Sequence, residues 1–309
     1  MAAVEARQTK TSTKPAAQRR IDLIGYLFVL PFLVFYIAFL VWPVILGLRM
    51  SFFNWSLVGT GTRQFLGLAN YRELFADPDF WSSLWHSILF TLLVVPSIVV
   101  IALGLALLAN RAIPARWLFR VSLFAPYVLP SSVIALIWIW MYQPGFGLIN
   151  SYLTQLGLPE VSWLSDPKVA LISVVIATVW WQLGFSFVLY LAGLQEIPRE
   201  LYDAAAVDGA NSLRRTRFIT IPLLRRTTIL VVALAVLAHL NVFDQIYIMS
   251  TTGGLDYGST RSLIVYVYEQ GFTLYRVGFA AAMTYVFFML VLALSITSFV
   301  LNNRLRKEV

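Results

Sequence analysis

Residues 201–210 read "LYDAAAVDGA", a short alanine-rich stretch bracketed by acids, closed by a glycine and set between two long apolar runs at 169–193 and 226–249. Upstream, Pro198 suits the first turn of a helix, where its missing N–H would have no intrahelical partner anyway. Glu200 and Asp203 follow near that N-terminus, where acids complement the helix dipole. Ala204, Ala205 and Ala206 have the highest helix propensity, and Gly209 supplies the stop because it adopts the left-handed conformation freely. The stretch therefore predicts a helix over 199–210, about ten residues and below the ~12–15 at which an isolated helix holds in water. Such a helix needs something to dock on. The residues alone leave two supports open: a partner's groove, or the chain's own bundle.

Outward from this stretch the chain is oily. It has 309 residues, 59% hydrophobic and 12% charged, with a mean hydropathy of +0.77. A soluble chain carries about twice that charged share, so the composition points to an integral membrane protein. Six apolar segments reach the ~20 residues that span a bilayer: 24–48, 84–109, 118–142, 169–193, 226–249 and 278–301. The expected fold is all-α, with six transmembrane helices over 24–301, tails at 1–23 and 302–309, and a short helix in the loop 194–225 between spans four and five. The first apolar run is too long for a secretory signal and lacks a following small-x-small cleavage site.

Cysteine is absent, which removes disulfides, thiolate catalysis and cysteine zinc sites together. The two histidines, His86 and His239, are far apart in sequence, so no metal site is expected. Placing both termini on one side gives that side 17 of the 23 Lys and Arg residues, including Arg19, Arg20, Arg111, Arg214, Arg215, Arg217 and Arg304. The other side holds Arg49, Arg63, Arg72, Lys168, Arg261 and Arg276. The positive-inside rule makes the first side cytoplasmic. The net charge of +8 is then membrane topology, and nucleic acid drops out as a partner. The outer segments 50–83, 143–168 and 250–277 are rich in aromatics, Gly and Pro. They read as a small folded surface suited to an external partner.

The loop between spans four and five carries a specific likeness. Asp203, Ala204 and Ala205, then three residues, Gly209, nine residues and Ile219-Thr220-Ile221-Pro222 match the E-A-A…Gly…Ile-x-Leu-Pro pattern of ABC-importer permeases. Asp203 replaces the usual Glu and Ile221 the usual Leu. Thr216 stands where a Phe is frequent, with Phe218 two residues on. "FLGLANYRELFADPDFW" (65–81), "PGFGLIN" (144–150) and "FDQIYIMSTTGG" (243–254) extend the likeness over nearly the whole chain, and resemble the maltose-type, carbohydrate-uptake branch of that family.

The resemblance implies that Tyr202, Asp203, Ala204, Ala205, Asp208, Gly209, Ala210 and Pro222 form a coupling element for an ATPase. It implies four kinds of partner: a dimer of ABC ATPase subunits that uses ATP and Mg, a second homologous permease, an extracytoplasmic sugar-binding protein, and the lipid of a bacterial or archaeal plasma membrane. No cofactor is expected on this chain. It holds no G-x-x-x-x-G-K-[ST], and none of Lys10, Lys14, Lys168 and Lys307 follows a glycine-rich loop, so it cannot be its own P-loop ATPase.

Polar residues inside spans are the best pointer to a substrate, since they are costly there unless they face a cavity or partner. On a continuous fifth span, Asn241, Asp244 and Gln245 fall within about 100° of one face at 3.6 residues per turn, and His239 points nearly opposite. On span four, Trp180, Trp181, Gln182 and Phe187 combine flat rings with an amide. Rings suit the apolar faces of a sugar, and amides suit its hydroxyl edges. No Lys or Arg falls in the central part of a span, which favours a neutral sugar. Three rival readings remain: an ABC permease for glycerol phosphate, polyamine or amino acid; a secondary transporter, for which only Asp244 offers a coupling group; and a non-transporting scaffold.

The basic asymmetry gives a direct test in this cysteine-free chain. Ser212→Cys should be labelled by a membrane-impermeant thiol reagent from the cytoplasmic side only. Labelling from outside would overturn the six-span topology.

Overall fold

The computed structural model describes residues 27–56, 64–110 and 116–307. The tail 1–23, the start of the first predicted span, most of the inner turn around Arg111, and Arg63 lie outside the described residues. In chain order the principal helices are α1 (Leu27–Met50), α2 (Ala69–Ala76), α3 (Pro78–Ala109), α4 (Arg116–Val128), α5 (Ser131–Tyr142), α6 (Leu148–Gln155) and α7 (Ala170–Gln195). They continue as α8 (Arg199–Val207), α9 (Ser212–Leu223), α10 (Arg225–Leu240), α11 (Asp244–Gly253), α12 (Tyr257–Thr260), α13 (Leu263–Tyr268) and α14 (Val277–Lys307). Among the described residues the only β pairing is one isolated bridge between Phe53 and Phe65.

Four of these, α1, α3, α7 and the Val277–Ile296 part of α14, are long and apolar enough to cross a bilayer. Two bent pairs, α4 with α5 at 101° and α9 with α10 at 63°, bring the number to six if each pair serves as one span. Within the predicted spans 118–142 and 226–249 the chain is not a single rod. Pro126 lies inside α4, and Pro130 stands immediately before α5. Proline removes an N–H and pushes its predecessor out of the helical region, which accounts for the sharp turn within 118–142. The fifth span, expected over 226–249, stops at Leu240 and resumes as a separate helix at Asp244. The second begins at Pro78 rather than 84, because Asp77 caps it by accepting from the Asp79 N–H at 2.9 Å and Pro78 is favoured in a first turn.

α3 and α7 pair along their lengths. Ala102, Ala106 and Ala109 on α3 are fully buried in one cluster with Phe187, Tyr190 and Leu194 of α7. A second cluster joins Phe90 and Val94 of α3 to Ile134, Trp138 and Tyr142 of α5, Val174 of α7 and Ile246 of α11. A third packs Phe279, Met283 and Phe287 of α14 against Leu74, Phe80, Leu240 and Tyr266. α1 is different. Its side chains from Leu27 to Leu48 are almost all exposed, and near its end the Tyr285 hydroxyl of α14 donates to the Val44 carbonyl.

In their described residues, the segments 50–83, 143–168 and 250–277 are folded rather than extended. Asn150 on α6 is fully buried; its amide donates to the Val161 carbonyl at 3.0 Å, and its oxygen accepts from the Val161 N–H and the Trp163 indole, both at 3.1 Å. Arg261 makes an ion pair with Asp79 at 2.8 Å and lies 4.4 Å over the Tyr266 ring. The Tyr266 hydroxyl donates to Asp77 at 2.5 Å. Burial first, then that hydrogen bond, pushes the Tyr266 phenol well above its ordinary value. These contacts clamp the loop after α12 onto the start of α3.

One close approach is strict. A Cβ at Gly184 of α7 would lie 2.5 Å from the Leu123 carbonyl oxygen and 2.8 Å from the Phe124 Cα of α4. Small residues permit such backbone contact between membrane helices. Gly184→Leu should therefore lower the Tm of the detergent-solubilised protein by an amount corresponding to about 1–3 kcal/mol of overpacking. Gly104→Ala, whose Cβ meets nothing within 4 Å, should leave it unchanged or slightly raised.

Candidate functional site

The stretch 201–210 forms most of α8, and its end is fully specified by hydrogen bonds. Gly209 has φ +74°. Its N–H donates to the Ala206 carbonyl at 3.1 Å, and the Ala210 N–H reaches back to the Ala205 carbonyl at 2.8 Å. Those two bonds are the pair that closes a helix through a left-handed residue. Asp208, Gly209 and Ala210 thus make the stop, and Asn211 at once caps α9 by accepting from the Arg214 N–H at 2.9 Å. Thr216–Thr220 of α9 winds as a π-helix before Pro222.

α8 has no buried residue. Asp203 and Ala204 are exposed, Tyr202 and Ala205 half-buried. Tyr202 ties the helix to the rest of the loop, its hydroxyl sharing a 2.9 Å hydrogen bond with Thr220 Oγ1. Val207, Leu213 and Phe218 stand exposed beside it. Of the two supports the sequence left open, the chain's own bundle covers little of this helix.

The second feature is a cavity of about 300 Å³ lined by Thr178, Trp181 and Gln182 of α7 with His239, Asn241, Phe243, Asp244 and Gln245. The break between α10 and α11 builds it. The α10 helix ends at Leu240; Asn241 folds back, its amide donating to the Leu237 carbonyl at 2.8 Å. The freed Val242 carbonyl accepts from Ser262 Oγ at 2.7 Å, and Asp244 opens α11. Across the cavity, the Trp181 indole donates to the Leu129 carbonyl at 3.1 Å, within the α4–α5 turn.

Asn241, Asp244 and Gln245 do meet at one cavity, but not as a face of one helix. The three are brought together by the break, which a helical-wheel argument cannot represent. For the same reason His239, which that argument turned away, lines the cavity too. Its Nε2 and the Thr178 Oγ1 are buried and have no hydrogen-bond partner among the described residues. Phe187, expected beside Trp181 and Gln182, is fully buried in the α3–α7 contact and does not line the cavity. Trp180 packs edge-on against Trp138 at 5.8 Å. Asn241 and Asp244 are exposed, whereas Gln245 is buried.

A smaller cavity of about 90 Å³, lined by Tyr127, Phe185 and Ser186, shares Gln182, Ala238 and His239 with the first. On the other side Phe243 stacks on Tyr247 at 5.1 Å, and Tyr268 and Phe272 continue the row of rings at 5.3 Å. Sequence periodicity could not have found Thr178; only its polarity inside an apolar helix marks it. No group of three or more His, Asp or Glu suited to a metal occurs among the described residues.

Known proteins are similar to this chain in sequence and in fold. The sulfoquinovosyl glycerol transport system permease protein of Agrobacterium fabrum is 35% identical, over 87% of this chain and 86% of its own length. The trehalose/maltose transport system permease protein of Thermococcus litoralis is 34% identical, over 88% of this chain and 91% of its own. Among solved structures, a bacterial ABC transporter involved in alginate import has a chain that superposes with a TM-score of 0.82 at 21% identity, covering 93% of this chain and 98% of that one. A family model for the inner membrane component of binding-protein-dependent transport systems matches residues 98–307. That interval contains both the exposed helix α8 and the broken helices around the cavity, and this multi-span helical chain belongs to that family of transport permeases.

Proposed function

We propose that the chain is one permease subunit of an ATP-driven, binding-protein-dependent sugar importer in a bacterial or archaeal plasma membrane, with both termini cytoplasmic. The observation that carries this reading is α8: nine residues without a buried side chain, closed by a glycine stop and followed by the basic run Arg214, Arg215 and Arg217. In this reading α8 docks in a cleft of a separate ABC ATPase, which hydrolyses ATP with Mg as a dimer. Tyr202, Asp203, Ala204, Ala205, Asp208, Gly209, Ala210 and Pro222 carry closure of that dimer to the spans. The Tyr202–Thr220 bond supplies the mechanical link. A second homologous permease completes the pathway against the apolar surface that this chain leaves exposed, and an extracytoplasmic sugar-binding protein delivers substrate to the folded outer segments.

The cavity is the proposed substrate pathway. Trp181 and Phe243 offer flat apolar surfaces, and Gln182, Asn241, Asp244 and Gln245 offer hydrogen-bonding groups, joined by His239 and Thr178. A sugar has matching chemistry, with C–H faces and hydroxyl edges. No Lys or Arg lines the cavity, which argues against glycerol phosphate and amino acids as cargo, since their anionic groups call for a cation. The sugar branch is also where the trehalose/maltose relative lies.

Two tests follow for the chain reconstituted with its ATPase and second permease. Gly209→Pro removes the N–H that Ala206 accepts from and imposes a negative φ, so it should abolish uptake and the response of ATP hydrolysis to the binding protein while membrane insertion persists. Normal transport by that variant would refute the coupling assignment. In the cavity, a hydrogen bond to a charged group contributes roughly 1.5–3 kcal/mol against about 1 for a neutral pair. Asp244→Ala should therefore cut uptake about tenfold or more and Gln245→Ala a fewfold, both retaining stimulated hydrolysis. Unchanged uptake in the combined Asn241, Asp244 and Gln245 alanine variant would show that these side chains only pack.

A further inference from the structure

The two helix breaks beside the cavity touch each other through a pair of side chains that neither break requires for its own capping. Ser131 is the first residue of α5, directly after the 101° turn. Asp244 is the first residue of α11, directly after the interruption at 241–243. Although 113 positions apart in sequence, Ser131 Oγ donates to Asp244 Oδ2 at 2.5 Å. The bond is solvent-exposed, so it adds little to the buried core. The neighbouring bonds behave differently: Trp181 to Leu129 and Ser262 to Val242 satisfy backbone carbonyls freed by the breaks, and a membrane-embedded break needs those. The Ser131–Asp244 contact satisfies no backbone group.

Chemically, the contact is an alcohol donating to a carboxylate, the same interaction a sugar hydroxyl would make with Asp244. We infer that Ser131 is a positioning residue that occupies Asp244 in place of a substrate hydroxyl, and that substrate must displace it, releasing the α4–α5 turn from the α10–α11 break. The inference rests on the reading of Asp244 as a substrate group. It makes the joint between the two breaks sensitive to occupancy of the cavity. With the cavity empty, Ser131 ties the first turn of α5 to the first turn of α11, whose later turns stay packed through Ile134, Trp138 and Ile246. When a sugar hydroxyl takes the carboxylate, the two first turns are free to separate.

The displacement is an exchange of one charge-assisted hydrogen bond for another, so the joint opens without leaving Asp244 unpaired. A solvent-exposed hydrogen bond to a charged acceptor biases a two-state equilibrium by up to about fivefold. Affinity is reduced by the fraction of molecules in which the site is already free, so Ser131 also sets how much substrate is needed to open the joint.

The test uses the complete complex in proteoliposomes, and its first measurement needs no sugar: ATP hydrolysis in the absence of binding protein. Ser131→Ala should raise this basal rate about threefold to fivefold, and Ser131→Thr, which keeps the hydroxyl, should restore it. With maltose and trehalose as probe sugars, Ser131→Ala should lower the apparent KM of whichever is imported, with kcat changed less than twofold. In the cysteine-free background, Ser131→Cys with Asp244→Cys, bridged by a short bifunctional thiol reagent, should stop stimulated hydrolysis until reduced. A basal rate in Ser131→Ala equal to the unmodified complex, or stimulated hydrolysis that survives bridging, overturns the inference while leaving the transport reading intact. An unmodified chain that never assembles with an ATPase overturns the reading beneath it and the inference together.

Discussion

Every backbone N–H and carbonyl inside a bilayer must find a partner within the protein, and this constraint governs where the chain can depart from a helix. It departs twice beside the cavity, and each departure is underwritten. The α4–α5 turn gives up a carbonyl at Leu129, and Trp181 donates to it. The α10–α11 break gives up a carbonyl at Val242, and Ser262 donates to it from the start of α13. Asn241 donates to the Leu237 carbonyl one turn back. The residues that make the cavity polar are thus partly the residues that allow the helices to break at all. Thr178 and His239 each keep a buried polar atom without a partner among the described residues, which is costly in a core, and both line the cavity.

Around the cavity the helices are packed through close contact of small residues. Lipid offers apolar groups as good an environment as the protein interior, so membrane helices gain by intimate packing instead. Ala102, Ala106 and Ala109 bring α3 close to α7, and Gly184 brings the α4 backbone onto α7. The same helix α7 also presents Thr178, Trp181 and Gln182 to the cavity. One side of the cavity is therefore anchored on the most buried helix of the fold, while the other is made of chain that has left the helical path.

The two groups of connecting segments use different physics. The segments around α6 and α13 are held by buried polar groups and aromatic rings: Asn150 with its bonds to Val161 and Trp163, and Arg261 between Asp79 and the Tyr266 ring. The helix α8 is held by its glycine stop and by Tyr202.

Several features were legible in the residues because they depend on local chemistry. Apolar runs, basic asymmetry, the Pro198 start and the Gly209 stop are settled within one or two turns, where neighbours in sequence are neighbours in space. The likeness in 203–222 identified the family for the same reason. What periodicity could not represent was the interruption of a helix. A continuous rod over 226–249 turns His239 away from Asn241, Asp244 and Gln245. Phe187 is apolar on α7, a largely buried helix, so nothing local says which side it takes. Asn241, Asp244 and Gln245 were marked by polarity, which composition reveals. Their meeting with Ser131, Thr178 and Trp181 required helices far apart in sequence to pack, and packing of that kind is decided by the whole set of surfaces at once. The sequence by itself determined the class, the spans' approximate positions and the inner helix; only the tertiary structure decided where the spans break, because a break is stable only where another segment satisfies the backbone it exposes.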